Sequence, residues 1–266
     1  MRFAVIGDIH IGPEAYFKGV LRKLNKDVIN YIHEFNRHMN ENIKPSFVAN
    51  LGDTIQDNNY EEDKINFQKG VDLFKELDCP VYHILGNHDL KKLSREETAT
   101  MAGVKNWFYS AESEFHLVFL DSILPNHKDH LSRISAEQRQ WLEKDLERTD
   151  KKTIIFVHHA LDDQDTTSNP WFEGREPACL IENRTEVRKI LEESKNVIAV
   201  IQGHLHWNRL NVHNNIPYFT VQSLVENAFD DGVPSKAYAI VDISDEEIIV
   251  DVKGHDAKRM QHSYSN

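Results

Sequence analysis

Asp8 and His10 stand two positions apart just after a short apolar run, residues 2–6. In extended backbone such a pair points the same way, so a carboxylate and an imidazole would face one spot. An unpaired carboxylate at the end of a buried strand costs roughly several kcal/mol in lost hydration, so a cation belongs beside it. Asp-x-His is a natural opening for a metal site. The pair gains weight because four later apolar runs, residues 46–49, 81–85, 153–157 and 197–201, end in similar residues. They deliver Asp53, then Asn87 with His88, then His158 with His159, then His204 with His206. Gly7, Gly52, Gly86 and Gly203 lie just before these polar residues, where the chain must turn sharply or admit another backbone.

The donors mix carboxylates, imidazoles and a carboxamide, with no thiolate. That chemistry favours Mn²⁺, Fe or Zn²⁺ over Mg²⁺, which prefers all-oxygen shells. The set is too large for one tetrahedral ion and suits two divalent ions sharing a bridging carboxylate. Pairs about 3.5–4 Å apart stabilise in-line displacement at phosphorus.

The elements that must position these residues follow from periodicity. Strands separated by helices form parallel units, so their carboxyl ends are expected along one edge of the sheet, where ligands bind in open α/β sheets. Helical spacing predicts helices over residues 17–42 and 61–77. Ser94-Arg95-Glu96-Glu97 and Ser135-Ala136-Glu137-Gln138 read as capping boxes, and Asn183 as the N-cap of a helix reaching residue 194. Further strands are expected at 115–120, 218–221, 236–242 and 248–253, with a turn or strand at 107–112. His33 and His38 read as solvent-facing, and His83 and His116 as satisfied histidines within strands. Asp121 reads as a turn residue or a support for a ligand imidazole. No repeat or break in composition divides residues 1–266, which read as one domain.

In this order, the blocks Gly7-Asp8-Ile9-His10, Gly52-Asp53, Gly86-Asn87-His88-Asp89, Val157-His158 and Gly203-His204-Leu205-His206 resemble the calcineurin-like metallophosphoesterase family, over residues 1 to about 210. The resemblance implies an α/β (layered α+β) fold, two packed mixed β-sheets flanked by helices. It implies that Asp8, His10 and His206 hold one metal, that Asn87, His158 and His204 hold the other, and that Asp53 bridges. It also implies hydrolysis by hydroxide bridging the metals, with Asn87 and His88 on the substrate and His88 protonating the leaving oxygen. Residues 80–88, Ser94-Arg95, and the stretches 135–142 and 224–259 are similar to the manganese-dependent ADP-ribose/CDP-alcohol diphosphatases. Gln56 departs from the family pattern, where Asp or Asn often follows the bridging aspartate. Ala160-Leu161 replace the prolines common after His158-His159.

These features define an expectation: a binuclear, Mn²⁺-preferring phosphohydrolase acting on a small phosphodiester or nucleoside-diphosphate substrate. A phosphomonoesterase or a cyclic-nucleotide phosphodiesterase is the second reading. Asp89 and His159 are expected behind the ligands, Asp89 orienting His88 or bracing its loop. Specificity is expected in loops 122–134 and 160–182. There Asn126, His127, Trp171, Phe172 and Arg175 offer stacking or phosphate contacts, although Trp171 and Phe172 also suit a local apolar plug or a dimer contact. A scaffold that had lost its metals would not be expected to keep every ligand.

The bulk properties set outer bounds. A net charge of −12 argues against a protein that lives on nucleic-acid phosphates, a DNA nuclease included. No apolar run approaches the roughly 18 residues of a membrane span. With only 2 cysteines there is no disulfide framework, so a reducing cytoplasm is the expected setting.

Overall fold

The computed structural model describes residues 1–124, 132–226 and 231–264. In chain order its main elements are β1 (Arg2–Ile6), β2 (Ala15–Phe17), β3 (Val20–Lys23), α1 (Val28–His38), β4 (Val48–Asn50), α2 (Tyr60–Phe74), β5 (Val81–His83), α3 (Arg95–Ala102), β6 (Tyr109–Glu112) and β7 (His116–Leu120). They continue with α4 (Ala136–Glu147), β8 (Thr153–Val157), α5 (Arg184–Ser194), β9 (Val197–Gln202), β10 (Arg209–His213), β11 (Ile216–Thr220), β12 (Tyr238–Ile243), β13 (Glu247–Lys253) and β14 (Lys258–Ser263). Asn126 and His127, expected on a specificity loop, lie outside the described residues.

Side-chain alternation along the strands builds the layers. In β1, Phe3 and Val5 point into a central core, whereas Ala4 and Ile6 meet Ile32, Phe35 and Met39 from the α1 layer. In β7, Leu117 and Phe119 point to the same central core, whereas Val118 and Leu120 meet Leu142 of α4 and Leu191 of α5. Both strands are thus apolar on both faces, as strands covered by helices must be. The central core is aromatic: Phe119 stacks on Phe156 with centroids 4.9 Å apart, and Phe3 on Phe47 at 4.6 Å.

The strands form two six-stranded mixed sheets, ordered β14-β13-β12-β1-β4-β5 and β10-β11-β9-β8-β7-β6. Parallel pairing runs through β1, β4 and β5 in the first sheet and through β7, β8, β9 and β11 in the second. The donor-bearing strand ends are therefore not on one edge of one sheet. β1, β4 and β5 belong to one layer, β8 and β9 to the other, and packing brings their carboxyl edges together. β10 and β14 were not expected, because their polar sequences Arg-Leu-Asn-Val-His and Lys-Arg-Met-Gln-His-Ser carry no apolar run.

The expected helix over residues 17–42 is a second departure. Residues 15–23 form a separate hairpin of β2 and β3, and α1 begins at Val28. Lys18 and Gly19, with φ of 50° and 83°, make the turn, and two successive positive φ values match the twist of a two-residue hairpin loop. The apolar spacing there was coincidental: Val20 is exposed, and the buried side chains are Arg22 and Lys23.

The caps divide as well. Ser94 and Glu97 form the complete capping box of α3. Ser135 caps α4, but Gln138 turns away to bond the backbone N and O of Asp121. Asn183 makes no side-chain cap on α5, and its amide instead pairs with both backbone groups of Ile134, at 3.0 and 2.9 Å. Among the described residues, no helix is long and apolar enough to cross a membrane.

His83 and His116 are buried strand histidines with polar partners. His116 lies 3.0 Å from Asp145 and 3.2 Å from the Thr153 hydroxyl. His83 accepts from the Asn50 amide at 3.3 Å and packs on Phe74, and burial lowers its pKa to about 4. An unfolded histidine takes up its proton near pH 6.5, whereas folded His83 resists until about pH 4. Stability from this group is thus present above pH 6.5 and lost as pH falls between those values. Urea unfolding of His83→Gln should lose about 2 kcal/mol less than the parent between pH 7 and pH 5.

Candidate metal centre

Backbone conformation already sets the donor residues apart. Asp8, His10, Asp53, His204 and His206 have φ of 49°, 54°, 50°, 66° and 55°. This left-handed region costs a non-glycine residue about 1 kcal/mol or more, and it persists where surrounding structure overrides the local preference. Asp8 and His10 do point together, but through paired left-handed turns rather than the extended backbone expected. Backbone bonds lace the two loops side by side: the Asp8 N–H donates to Gly52 O at 2.9 Å, and those of Ile9 and His10 donate to Asp53 O at 2.9 and 3.0 Å. A Cβ on Gly52 would strike the backbone of Gly86, and one on Gly86 would strike Asp53.

The donor atoms fall into two groups that share Asp53. In one, His206 Nε2 lies 3.2 Å from Asp8 Oδ1 and 3.4 Å from His10 Nε2, which is 3.9 Å from Asp53 Oδ2. In the other, His158 Nε2 lies 3.5 Å from Asp53 Oδ2, 3.3 Å from Asn87 Oδ1 and 3.2 Å from His204 Nδ1. Asp8, His10, Asp53, His158, His204 and His206 are all buried.

The opposite atom of most of these side chains is held by protein. His158 Nδ1 donates to Leu51 O at 2.8 Å, His204 Nε2 to Ala178 O at 3.2 Å, and His206 Nδ1 to Glu226 at 2.6 Å. Asp8 Oδ2 accepts from His204 N at 3.0 Å, and Asp53 Oδ1 from His88 N at 2.8 Å. Such partners select the tautomer and aim the other atom inward. Burial holds His10 and His204 well below the ordinary histidine range, so each presents a lone pair. Burial also pulls on His158, but the facing Asp53 carboxylate raises it to about 9. For Asp53 the upward push of burial is outweighed by His158 and His88, which hold it well below the usual carboxylate range. Ring nitrogens facing each other at 3.2–3.4 Å repel unless a proton or cation lies between them. The mixed N/O donor set fits divalent transition ions.

The description "Calcineurin-like phosphoesterase" belongs to the family model that matches residues 1–208. The chain belongs to this family. It is 29% identical over 259 residues to a manganese-dependent ADP-ribose/CDP-alcohol diphosphatase of Arabidopsis thaliana, a match covering 77% of this chain and 79% of that one. It is 24% identical over 164 residues to a protein described as a probable cyclic nucleotide phosphodiesterase of Synechococcus, covering 61% of this chain and 58% of the relative. The chain thus spans less than two thirds of that relative's length. The crystal structure of a dimetal phosphatase from Danio rerio matches with a TM-score of 0.78 and 18% identity, over 99% of each chain. That likeness speaks to the fold.

In this calcineurin-like phosphoesterase, His88 sits at the rim with 23% of its side chain exposed. Its Nδ1 lies 2.5 Å from Asp57, and its Nε2 lies 4.0 Å from Asp53 Oδ2. The carboxylate that orients His88 is therefore Asp57, one position beyond the Gln56 departure. Asp89 does not hold His88. It is wholly buried and accepts from Ile55 N at 3.1 Å and Gly86 N at 2.9 Å, bracing the two donor loops against each other. His159 bonds the Ser122 hydroxyl at 2.8 Å and packs on the His204 ring with centroids 4.1 Å apart. Asp121 plays the turn role, accepting from Ile123 N and pairing with Arg95 at 2.9 Å.

Loop 160–182 supports the site from behind. Ala178 O holds His204, and the Phe172 ring lies 4.8 Å from it. Trp171 stacks on Phe17 at 4.5 Å and donates to Glu226 at 2.7 Å. Sequence reasoning missed three residues: Asp57, Glu226 and Lys23, whose Nζ reaches His10 and His206. Asp57 carried a signal, as a carboxylate next to the flagged Gln56. Glu226 lies in the stretch 224–259 that resembles the diphosphatases, but nothing in the pattern singled out its carboxylate, and Lys23 carried no signal because it lies outside every motif.

His10→Ala is expected to bind one divalent ion fewer per chain than an expected two in the parent, by Mn²⁺ analysis after gel filtration, with circular dichroism unchanged. Two bound ions would refute its placement as a ligand.

Proposed function

We propose that the chain hydrolyses small phosphodiester or nucleoside-diphosphate substrates of the ADP-ribose/CDP-alcohol kind, using two divalent cations, with Mn²⁺ preferred over Fe or Zn²⁺. The observation that carries this reading is the pair of donor groups sharing Asp53, with His88 Nε2 4.0 Å from the shared oxygen. Asp8, His10 and His206 would hold one ion and Asn87, His158 and His204 the other, bridged by Asp53. Two such ions supply a nucleophilic hydroxide at neutral pH and offset charge on the phosphoryl oxygens.

The chain's own residues do the rest. Asp57 accepts from Nδ1 of His88 and so directs Nε2 toward the donor groups. Being partly exposed, His88 can contact a bound phosphate and give the Nε2 proton to the departing oxygen, as general acids do when held within hydrogen-bond reach. Asp53 Oδ1 fixes the backbone of His88 at 2.8 Å, coupling the proton donor to the bridging carboxylate. The Phe17–Trp171 stack borders the first donor group through Glu226, whereas Ala178 and Phe172 of loop 160–182 abut His204 of the second, and substrate selectivity would reside in this segment.

Likeness to the Arabidopsis ADP-ribose/CDP-alcohol diphosphatase supports the diphosphatase reading. Likeness to the probable cyclic nucleotide phosphodiesterase of Synechococcus favours a second one, cyclic-nucleotide phosphodiesterase. A panel of ADP-ribose, CDP-choline, cyclic AMP, bis-p-nitrophenyl phosphate and p-nitrophenyl phosphate with Mn²⁺ separates them. The first reading expects the highest kcat/KM with ADP-ribose or CDP-choline, the second with cyclic AMP, and no turnover of any compound would refute both.

His88→Gln should lower kcat about a hundredfold or more on a poor leaving group and much less on a p-nitrophenyl ester, whose oxygen needs no proton. Asp57→Asn should lower kcat roughly tenfold to a hundredfold with Mn²⁺ content unchanged. Equal losses on both ester classes would remove His88 from the proton-donor role.

A further inference from the structure

The hairpin places a buried amine against one half of the donor set and not the other. Lys23, the last residue of β3, is 3% exposed. Its Nζ lies 2.8 Å from His10 Nε2, 3.3 and 3.4 Å from the two ring nitrogens of His206, and 3.7 Å from Glu226 Oε2. A lysine ammonium has donors only, so in the contact with His10 the ring nitrogen accepts. Nε2 is also the His10 atom that faces His206 Nε2 and Asp53 Oδ2. The amine thus occupies the lone pair that this half of the site would offer a cation. At the other half, among the described residues, the Nε2 of His158 and the Nδ1 of His204 face Asn87, Asp53 and each other, with no lysine or arginine in hydrogen-bond reach.

The hairpin is a sheet of its own, tied to the body by the Arg22–Glu226 pair at 2.6 Å and the Phe17–Trp171 stack. Among the described residues Glu226 is the carboxylate nearest to the amine, 3.7 Å from Nζ, and it also bonds His206.

We propose that Lys23 makes the Asp8–His10–His206 half the weaker of two cation sites. The chain then loads the Asn87–His158–His204 half first, and the second ion enters only as the amine shifts from His10 toward Glu226. This rests on the binuclear reading above.

Mn²⁺ titration of the metal-free full chain, followed by calorimetry and by the electron paramagnetic resonance of free Mn²⁺, tests it. The parent should bind two ions with separated Kd values, His10→Ala removing the weaker step and His158→Ala the tighter. Lys23→Met should tighten the weaker step roughly tenfold or more, the scale of one charge-assisted hydrogen bond, and leave the tighter one unchanged. Lys23→Gln provides a second variant should the first fold poorly, with the same direction expected. Equal Kd values in the parent, or a weaker step unmoved or loosened in both variants, would overturn the inference while leaving two ions bound. A parent that binds no Mn²⁺ would overturn the binuclear reading itself.

Discussion

The architecture turns on the carboxylate of Asp53. It is 1% exposed, and its Oδ2 faces ring nitrogens of His10, His158 and His88 within 4.0 Å. A buried carboxylate costs several kcal/mol or more unless positive charge and hydrogen bonds surround it. The sheets, loops and glycines near it can be understood as meeting that demand. Oδ1 is satisfied by the backbone of His88, and the backbone carbonyl of the same residue holds the loop of Asp8 and His10. One residue therefore positions three strand ends, two from its own sheet neighbours and one from the opposite layer.

Orientation of the imidazoles comes largely from main chain. Leu51 O fixes His158 and Ala178 O fixes His204, whereas His206 depends on the carboxylate of Glu226. This explains why the long irregular segment 160–182 is ordered through Asp162, Gln164, Gln202 and Thr220, whose side chains form one buried hydrogen-bond network. A carbonyl acts as a precise acceptor only if its loop cannot move. Glu226 carries a heavier electrostatic load: burial pushes its carboxyl up, but His206, Lys23 and Arg22 together lower it to about 2. That cluster couples the hairpin, Trp171 and His206 of the first donor group.

Much of the fold was legible because buried strands and their ends have strong local signatures. β8 was read to the residue, since β-branched residues covered on both faces leave little ambiguity. The hairpin at 15–23 was misread because apolar residues at 20, 21 and 24 mimic a helical stripe, while the decisive feature was the Lys18-Gly19 turn. Edge strands β10 and β14 escaped because their stability comes from pairing with a neighbour, not from their own apolarity. Asn183 had every local mark of a helix cap, yet its amide found both backbone groups of Ile134, a partner no local pattern announces.

By itself, the sequence determined which side chains end the buried strands, the order in which they occur, and that glycine stands where loops touch. These are properties of short segments, set by periodicity, backbone freedom and the cost of burying charge. Tertiary structure alone decided that the strand ends come from two sheets, that Asp8 and His10 converge through left-handed turns, and that Asp57, Glu226 and Lys23 join them. Those outcomes depend on contacts between segments as far apart as Asp8 and His206, separated by 198 positions. Such contacts are fixed by packing and electrostatics over the whole molecule, and no stretch of chain carries them alone.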